Sequence, residues 1–202
     1  MENLHLVVGL GNPGSDYTRT RHNAGFLVVE RVAENLKADW RYEKKFNARL
    51  ARAEFAGRQL LLCQPLTFMN SSGEAVQAVV EYYQVALVRL LVAVDDADLP
   101  LGELRLRPAG SSGGHHGLES IEQHLGTRNY ARLRVGIGRE TGAREITGHV
   151  LGRFNSTESP LVDRVLVAVA GQITCWVEAG IQKAMNRFNG VVSDSANERK
   201  DQ

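Results

Sequence analysis

Leu4-His5-Leu6-Val7-Val8-Gly9-Leu10-Gly11-Asn12-Pro13-Gly14 is an apolar run that stops at a glycine-rich turn. A short run bounded in this way predicts a buried strand. Past a polar stretch, 15–20, the residues Val28, Val29, Val32 and Leu36 share one helical face, which predicts a helix over 21–36. Strand, turn and helix form the unit of an α/β sheet, and the chain repeats it. Residues 49–55 alternate, 59–64 are more continuously apolar, and Ala56-Gly57-Arg58 between them predicts a hairpin. Ser71-Ser72-Gly73-Glu74 has capping-box spacing and predicts a helix reaching Tyr83. A strongly apolar strand, 89–94, ends in Asp95-Asp96. Residues 103–107 alternate Leu with Arg, as a half-exposed strand does. After a glycine-rich loop, 110–117, a helix is expected over 118–125 and a strand over 131–137. Ser159-Pro160 is a helix start, followed by Val162, Val165, Leu166, Val169, Ile173 and Trp176 at helical spacing, then by a shorter helix to Phe188. The expected architecture is a single α/β domain over 1–190, with helices on both faces of a twisted central sheet. The hairpin makes that sheet mixed. The polar residues 191–202 are expected to be a disordered tail.

Composition excludes little. The chain has 202 residues, 43% apolar and 23% charged, with a formal net charge of +1. Total charge therefore gives no pull toward a polyanion, and such a site needs local clustering. Six arginines (105, 107, 128, 132, 134 and 139) face three glutamates (103, 119 and 122) between 101 and 139, a local excess of that kind. Read alone, it is equally a solvated mixed face. Cys63 and Cys175 are far apart and fit no metal spacing, so they are expected to be reduced thiols. No signal-like segment stands at the N-terminus, and no apolar stretch reaches the ~18 residues of a membrane span. The expected location is the cytosol, away from membranes.

Two motifs carry well-known readings that their surroundings oppose. Gly9-Leu10-Gly11-Asn12-Pro13-Gly14 matches the dinucleotide fingerprint, but that mechanism needs the glycines to open a helix at once. Gly110-Ser111-Ser112-Gly113-Gly114 matches a serine nucleophile elbow, which needs a sharp strand-to-helix turn and then an acid and a His in order. Here Pro108 and a loop intervene.

The polar residues that packing does not explain fall at strand ends, where open α/β sheets bind ligands. Asn12 follows the first strand, and His22 starts the next helix. Asn70 follows a later strand and caps a helix. Asp95 ends the apolar strand, and His115 and His116 lie in the glycine-rich loop. One His, one carboxylate and several amides suffice for water-based hydrolysis. The His takes a proton from water, the carboxylate fixes its tautomer, and the amides donate to a developing oxyanion. Singly, Asn12 also reads as a turn residue, Asn70 as an N-cap, His22 as structural and Asp95 as solvated. The adjacent histidines offer no metal-ligand spacing, so no metal or other cofactor is expected.

Separated motifs then resemble one family. Val8-Gly9-Leu10-Gly11-Asn12-Pro13-Gly14 with Tyr17 and Thr20-Arg21-His22-Asn23-Ala24-Gly25 resembles the opening of bacterial-type peptidyl-tRNA hydrolases. Pro65-Leu66-Thr67-Phe68-Met69-Asn70-Ser71-Ser72-Gly73, Asp95-Asp96 through Asp98-Leu99-Pro100-Leu101-Gly102, Gly113-Gly114-His115-His116-Gly117-Leu118 and Arg132-Leu133-Arg134-Val135-Gly136-Ile137-Gly138 are similar to its further motifs. Val150-Leu151-Gly152-Arg153-Phe154 and Ala184-Met185-Asn186-Arg187-Phe188 fit its C-terminal part. The resemblance implies hydrolysis of the ester between a peptide and the terminal adenosine of tRNA, under a C-terminal helical lid. His22 would be the general base, oriented by Asp95. Asn70 would hold the water or carbonyl, and Asn12 would place the ester. Tyr17, Phe68, Met69, His115 and His116 would contact substrate, and Arg107 with Arg134 would grip a tRNA phosphate. His116 departs from the family, whose Asn at that position binds the peptide backbone. The enzyme would act as a monomer with no obligate protein partner. A non-catalytic RNA-binding module on the same fold is the rival reading.

Overall fold

The computed structural model describes residues 3–139 and 146–192. Its sheet has eight strands in the order β2-β3-β4-β1-β5-β7-β6-β8. These are β1 (Leu4–Gly9), β2 (Trp40–Glu43), β3 (Ala48–Phe55), β4 (Arg58–Pro65), β5 (Leu90–Asp96), β6 (Glu103–Arg107), β7 (Ala131–Gly136) and β8 (Gly190–Val191). The centre, β4-β1-β5-β7, is parallel, and both margins are antiparallel, so the sheet is mixed as expected. The expected tail does not begin at 191, since Val191 pairs with Glu103 in β8; from residue 193 onward it lies outside the described residues.

Central strands are covered on both faces, which explains their unbroken apolar runs. Along β1, Val7 packs into one core while Leu6 and Val8 pack into the other. Along β5, Leu91 and Ala93 oppose Leu90, Val92 and Val94 in the same way. The first core is closed by α1 (Ala24–Leu36), α5 (Ser159–Ala179) and α6 (Ile181–Phe188). The second is closed by α2 (Ser72–Tyr83) and α3 (His116–Leu125). A further helix, α4 (Ile146–Leu151), precedes α5.

Several local expectations are corrected. Helix α1 begins at Ala24, after a single 3-10 turn, Arg21–Asn23, that carries His22. The capping box does not form. Ser71 is the N-cap of α2, yet its side chain makes no capping bond, and Asn70 sits in the 3-10 turn Met69–Ser71 just before it. Helix α3 starts at His116, two residues early, because the His115 ring accepts from the Leu118 amide and supplies the cap. Helix α5 is long and apolar enough to cross a membrane by length and composition, contrary to the reading that no stretch qualifies. Its Val165, Val169, Ile173 and Trp176 are buried in the first core.

Close backbone contact sets the geometry above the sheet. A Cβ on Gly25 would overlap the carbonyl of Ala93 and the backbone of Leu10, and a Cβ on Gly9 would overlap the carbonyl of Gly25. The first turn of α1 thus rests directly on β1 and β5. Only glycine permits that approach.

Candidate active site

The carboxyl ends of β1 and β5 bring the site together. Asp95, 4% exposed at the end of β5, faces His22 from the turn before α1. His22 Nδ1 lies 3.0 Å from Asp95 Oδ1 and 3.1 Å from Oδ2. A second imidazole, that of His115, places Nε2 3.1 Å from the same Oδ1. The His115 tautomer follows from its other side. Its Nδ1 accepts from the Leu118 amide at 3.3 Å, so Nε2 carries the proton and donates to Asp95. An Asp95 that accepts from both rings leaves Nε2 of His22 without a partner among the described residues. Burial alone would raise the Asp95 carboxyl, but hydrogen bonds from His115 and His22 outweigh it and hold the group below the ordinary carboxylate range.

His22, Asp95 and His115 each offer a ligating atom, all within 4.8 Å of one another, so the cluster has the spacing for a cation. The Leu118 amide opposes that use, because a metal on His115 Nε2 needs the other tautomer and would turn Nδ1–H against an N–H donor.

The His22 turn is clamped from far along the chain. Arg21, 7% exposed, donates to the Arg153 carbonyl at 2.6 Å and to both oxygens of Glu158 at 2.8 and 2.9 Å, with Phe154 beneath its guanidinium at 4.9 Å. The Arg21 amide also donates to Gly152. Thus 152–158, the segment between α4 and α5, holds the base in place.

Asn12 is not in a left-handed turn. Asn23 donates to its carbonyl at 3.0 Å and accepts from its amide at 2.8 Å, and Asn12 Oδ1 accepts from the Met69 amide at 2.9 Å. With Oδ1 so engaged, the Asn12 Nδ2 group is left as a donor with no hydrogen-bond partner among the described residues. Asn70 is exposed and its side chain bonds to nothing among the described residues. Met69 is buried against Gly117, whereas Phe68 is 63% exposed and Tyr17 half-buried. His116 is largely exposed and pairs with Glu119 at 3.1 Å.

The arginine excess is mostly neutralised. Arg128 and Arg132 meet Glu122, Arg105 meets Glu103, Arg134 meets Asp96 at 3.0 Å, and Arg139 meets Asp98. Two of these partners lie outside the arginine-rich stretch as counted. Of the six, only Arg107 has no ion-pair partner among the described residues. The β6–β7 register sets it diagonally across from Arg134 on one face of the sheet. Arg134 also donates to the Ser111 and Ser112 carbonyls and so ties down the glycine-rich loop.

Both misleading motifs lose their basis. The glycine turn leads into a 3-10 turn, Ser15–Tyr17, and the helix starts ten residues after Gly14. The Ser112 hydroxyl accepts from the Gly114 amide and touches no histidine.

Comparison with known proteins agrees with this geometry. The profile of the family described as peptidyl-tRNA hydrolase matches residues 6–199. The chain belongs to the peptidyl-tRNA hydrolase family. It is 46% identical to a peptidyl-tRNA hydrolase of Synechococcus sp. (strain JA-3-3Ab), over 98% of this chain and 88% of that one. It is 44% identical to one from Geobacillus kaustophilus, over 92% of this chain and all of the relative. Among solved structures, peptidyl-tRNA hydrolase from Acinetobacter baumannii superposes with a TM-score of 0.88 at 39% identity, covering 95% of this chain and 97% of that one. The eight-stranded mixed sheet is therefore the fold of this family.

Asn23, Glu158 and the His115–Asp95 bond are the site features that sequence reading did not find. Asn23 stood next to His22 in the motif, which was the one available signal for it.

Proposed function

We propose that the chain hydrolyses peptidyl-tRNA at the ester joining the peptide to the 3′-terminal adenosine, with His22 as general base. The observation that carries this reading is the Asp95 carboxylate shared by two imidazoles, with His22 Nε2 left unpartnered. Asp95 accepts from His22 Nδ1–H and so keeps the lone pair on Nε2. That lone pair takes a proton from water, and the resulting hydroxide attacks the ester carbonyl. The imidazolium, stabilised by Asp95, then returns the proton to the departing 3′ oxygen. His115, expected to contact substrate, has both ring nitrogens engaged, Nδ1 by the Leu118 amide and Nε2 by Asp95, and acts in this reading as a positioning residue. Asn12 and Asn70 offer amide donors to the carbonyl oxygen as charge develops there. Tyr17, Phe68, Met69 and His116 line the approach for the peptide and the terminal nucleotide. Arg107 and Arg134 hold a phosphate of the acceptor stem, Arg107 with its charge free and Arg134 already anchored on Asp96. The chemistry needs no metal or other cofactor, and the enzyme works as a cytoplasmic monomer without an obligate protein partner.

The test is hydrolysis of N-acetyl-aminoacyl-tRNA in EDTA by wild type and His22→Ala. An EDTA-insensitive rate that falls by roughly 10²–10⁴ in the variant is expected. Binding of tRNA without cleavage by wild type would leave an RNA-binding module instead. Equal cleavage by both proteins would remove His22 from the role.

A further inference from the structure

A second cavity lies at the other edge of the sheet, where the parallel strands begin. It measures about 850 Å³ and is walled by the start of β1, β4 and β5, the end of β6 and the junction between α5 and α6. Three cations line it: Arg58, Arg89 and Lys183. None of them has a carboxylate partner among the described residues, in contrast to five of the six arginines between 101 and 139. The only carboxylate on the wall is Glu178, which is exposed.

The junction adds further donors. The first backbone bond of α6 runs from the Ala184 amide to the Gly180 carbonyl, so the amides of Ile181, Gln182 and Lys183 have no partner within the helix. Ile181 and Lys183 both border the cavity. Free amides at a helix start beside unpaired arginines suit a phosphate, which an arginine grips through two parallel bonds.

An independent observation comes from the inner wall. His5 lines the cavity, is 94% buried, and has no hydrogen-bond partner for Nδ1. Burial first, and then the charges of Arg58 and Arg89, lower its pKa against a backbone hydrogen bond at Asn3 that raises it, which favours the neutral ring. A buried ring nitrogen left without a partner is costly. A hydroxyl satisfies that nitrogen in either tautomer, as donor or as acceptor. Trp176 meets the His5 ring edge-on at 5.1 Å and, with Val88 and Val177, forms part of the apolar wall.

We propose that this cavity binds a small phosphate monoester that also carries hydroxyl groups, of the sugar-phosphate class. Its phosphate sits among Arg58, Arg89, Lys183 and the start of α6, and its hydroxyls face His5. The site is separate from the hydrolytic one, being at the opposite sheet edge.

Trp176 is the reporter. The chain has two tryptophans, so Trp40→Phe leaves Trp176 as the sole source of indole emission. This protein is titrated with ribose 5-phosphate, inorganic phosphate and ribose. Saturable change with ribose 5-phosphate at a Kd of ~1 mM or below, weaker change with inorganic phosphate and none with ribose is expected. Arg58→Gln and Arg89→Gln should each weaken binding by about tenfold or more, and neither should alter hydrolysis of N-acetyl-aminoacyl-tRNA. No saturation by ribose 5-phosphate, or equal binding in the arginine variants, overturns the proposal. Equal affinity for inorganic phosphate overturns the role given to His5. Displacement of ribose 5-phosphate by a duplex RNA lacking a 3′ acceptor end assigns the cavity to RNA backbone and overturns the small-molecule reading. Loss of hydrolysis in His22→Ala is a separate result that leaves this test unaffected.

Discussion

Asp95→Asn isolates the carboxylate from everything else in the site. Asp95 Oδ1 is 3.0 Å from His22 Nδ1 and 3.1 Å from His115 Nε2, while Oδ2 is 3.1 Å from His22 Nδ1. An amide has one acceptor where the carboxylate has two. If its oxygen takes the Oδ1 place, that one acceptor must serve both rings, while its NH₂ stands 3.1 Å from the Nδ1–H of His22. Donor then meets donor at about 3 Å, and His22 escapes by moving its proton to Nε2. The lone pair is then withdrawn from the water. One charge-assisted hydrogen bond is worth roughly 1.5–3 kcal/mol, and the lost stabilisation of the imidazolium adds a comparable amount. A barrier raised by about 3–6 kcal/mol lowers the rate by roughly 10²–10⁴. The corresponding change in a Ser-His-Asp site costs about 10⁴ by the same tautomer argument. Single-turnover hydrolysis of N-acetyl-aminoacyl-tRNA reads the effect, and a melting curve shows that the variant is folded. A folded variant with less than about tenfold loss would refute the tautomer argument. The wild type carries a matching pH signature. A carboxyl more acidic in the fold than in the unfolded chain stabilises fully above the unfolded value of ~3.9, and that contribution is lost as pH falls toward the folded one. Stability of the wild type should therefore decline below about pH 4, and the decline should be shallower in Asp95→Asn.

The two jobs of His115 separate by substitution. His115→Asn keeps a cap for the Leu118 amide but cannot reach Asp95, whereas His115→Ala loses both, so activity should fall in both and stability by ~1 kcal/mol in Ala alone, as denaturant melts will show. Gly25→Ala pushes a methyl into the Ala93 carbonyl and should cost about 1–3 kcal/mol in a chemical melt while lowering activity through displacement of His22. Arg107→Gln removes the unpaired arginine of β6, so tRNA binding should weaken and the slope of log affinity against log salt should drop by roughly one unit in filter-binding assays.

The fold was legible wherever burial imposes a period. Strands β1, β5 and β7 and helix α5 are buried on two faces or along a wide stripe, and their apolar residues recur accordingly. Strand β2 was missed because Trp40-Arg41-Tyr42-Glu43 is only four residues long and buries neither face fully at the sheet margin, too short for its aromatic–charged alternation to register. Strand β8 is two residues long and exists only through pairing with β6, which no local pattern records. In the site, Asp95 stood out because it ends an apolar strand, and His22 because it stands just before an apolar helical face. The partnership of Arg21 with Glu158 spans 137 positions, and that of Asp95 with His115 spans 20 across a loop, so neither leaves a local trace. The local charge excess was overcounted for a related reason, because Asp96 and Asp98 neutralise arginines that lie far from them in sequence.

The two glycines under His22 give the reaction a ruler made of backbone. Side chains in both cores can drift in size and shape over generations, and the sheet will shift by fractions of an ångström to suit them. The start of α1 does not ride on those side chains. It sits on the carbonyl of Ala93, two residues before Asp95 on the same strand, with no side chain between them. Base and carboxylate are therefore gauged from a common datum, and the core around them is free to change without resetting the distance between them.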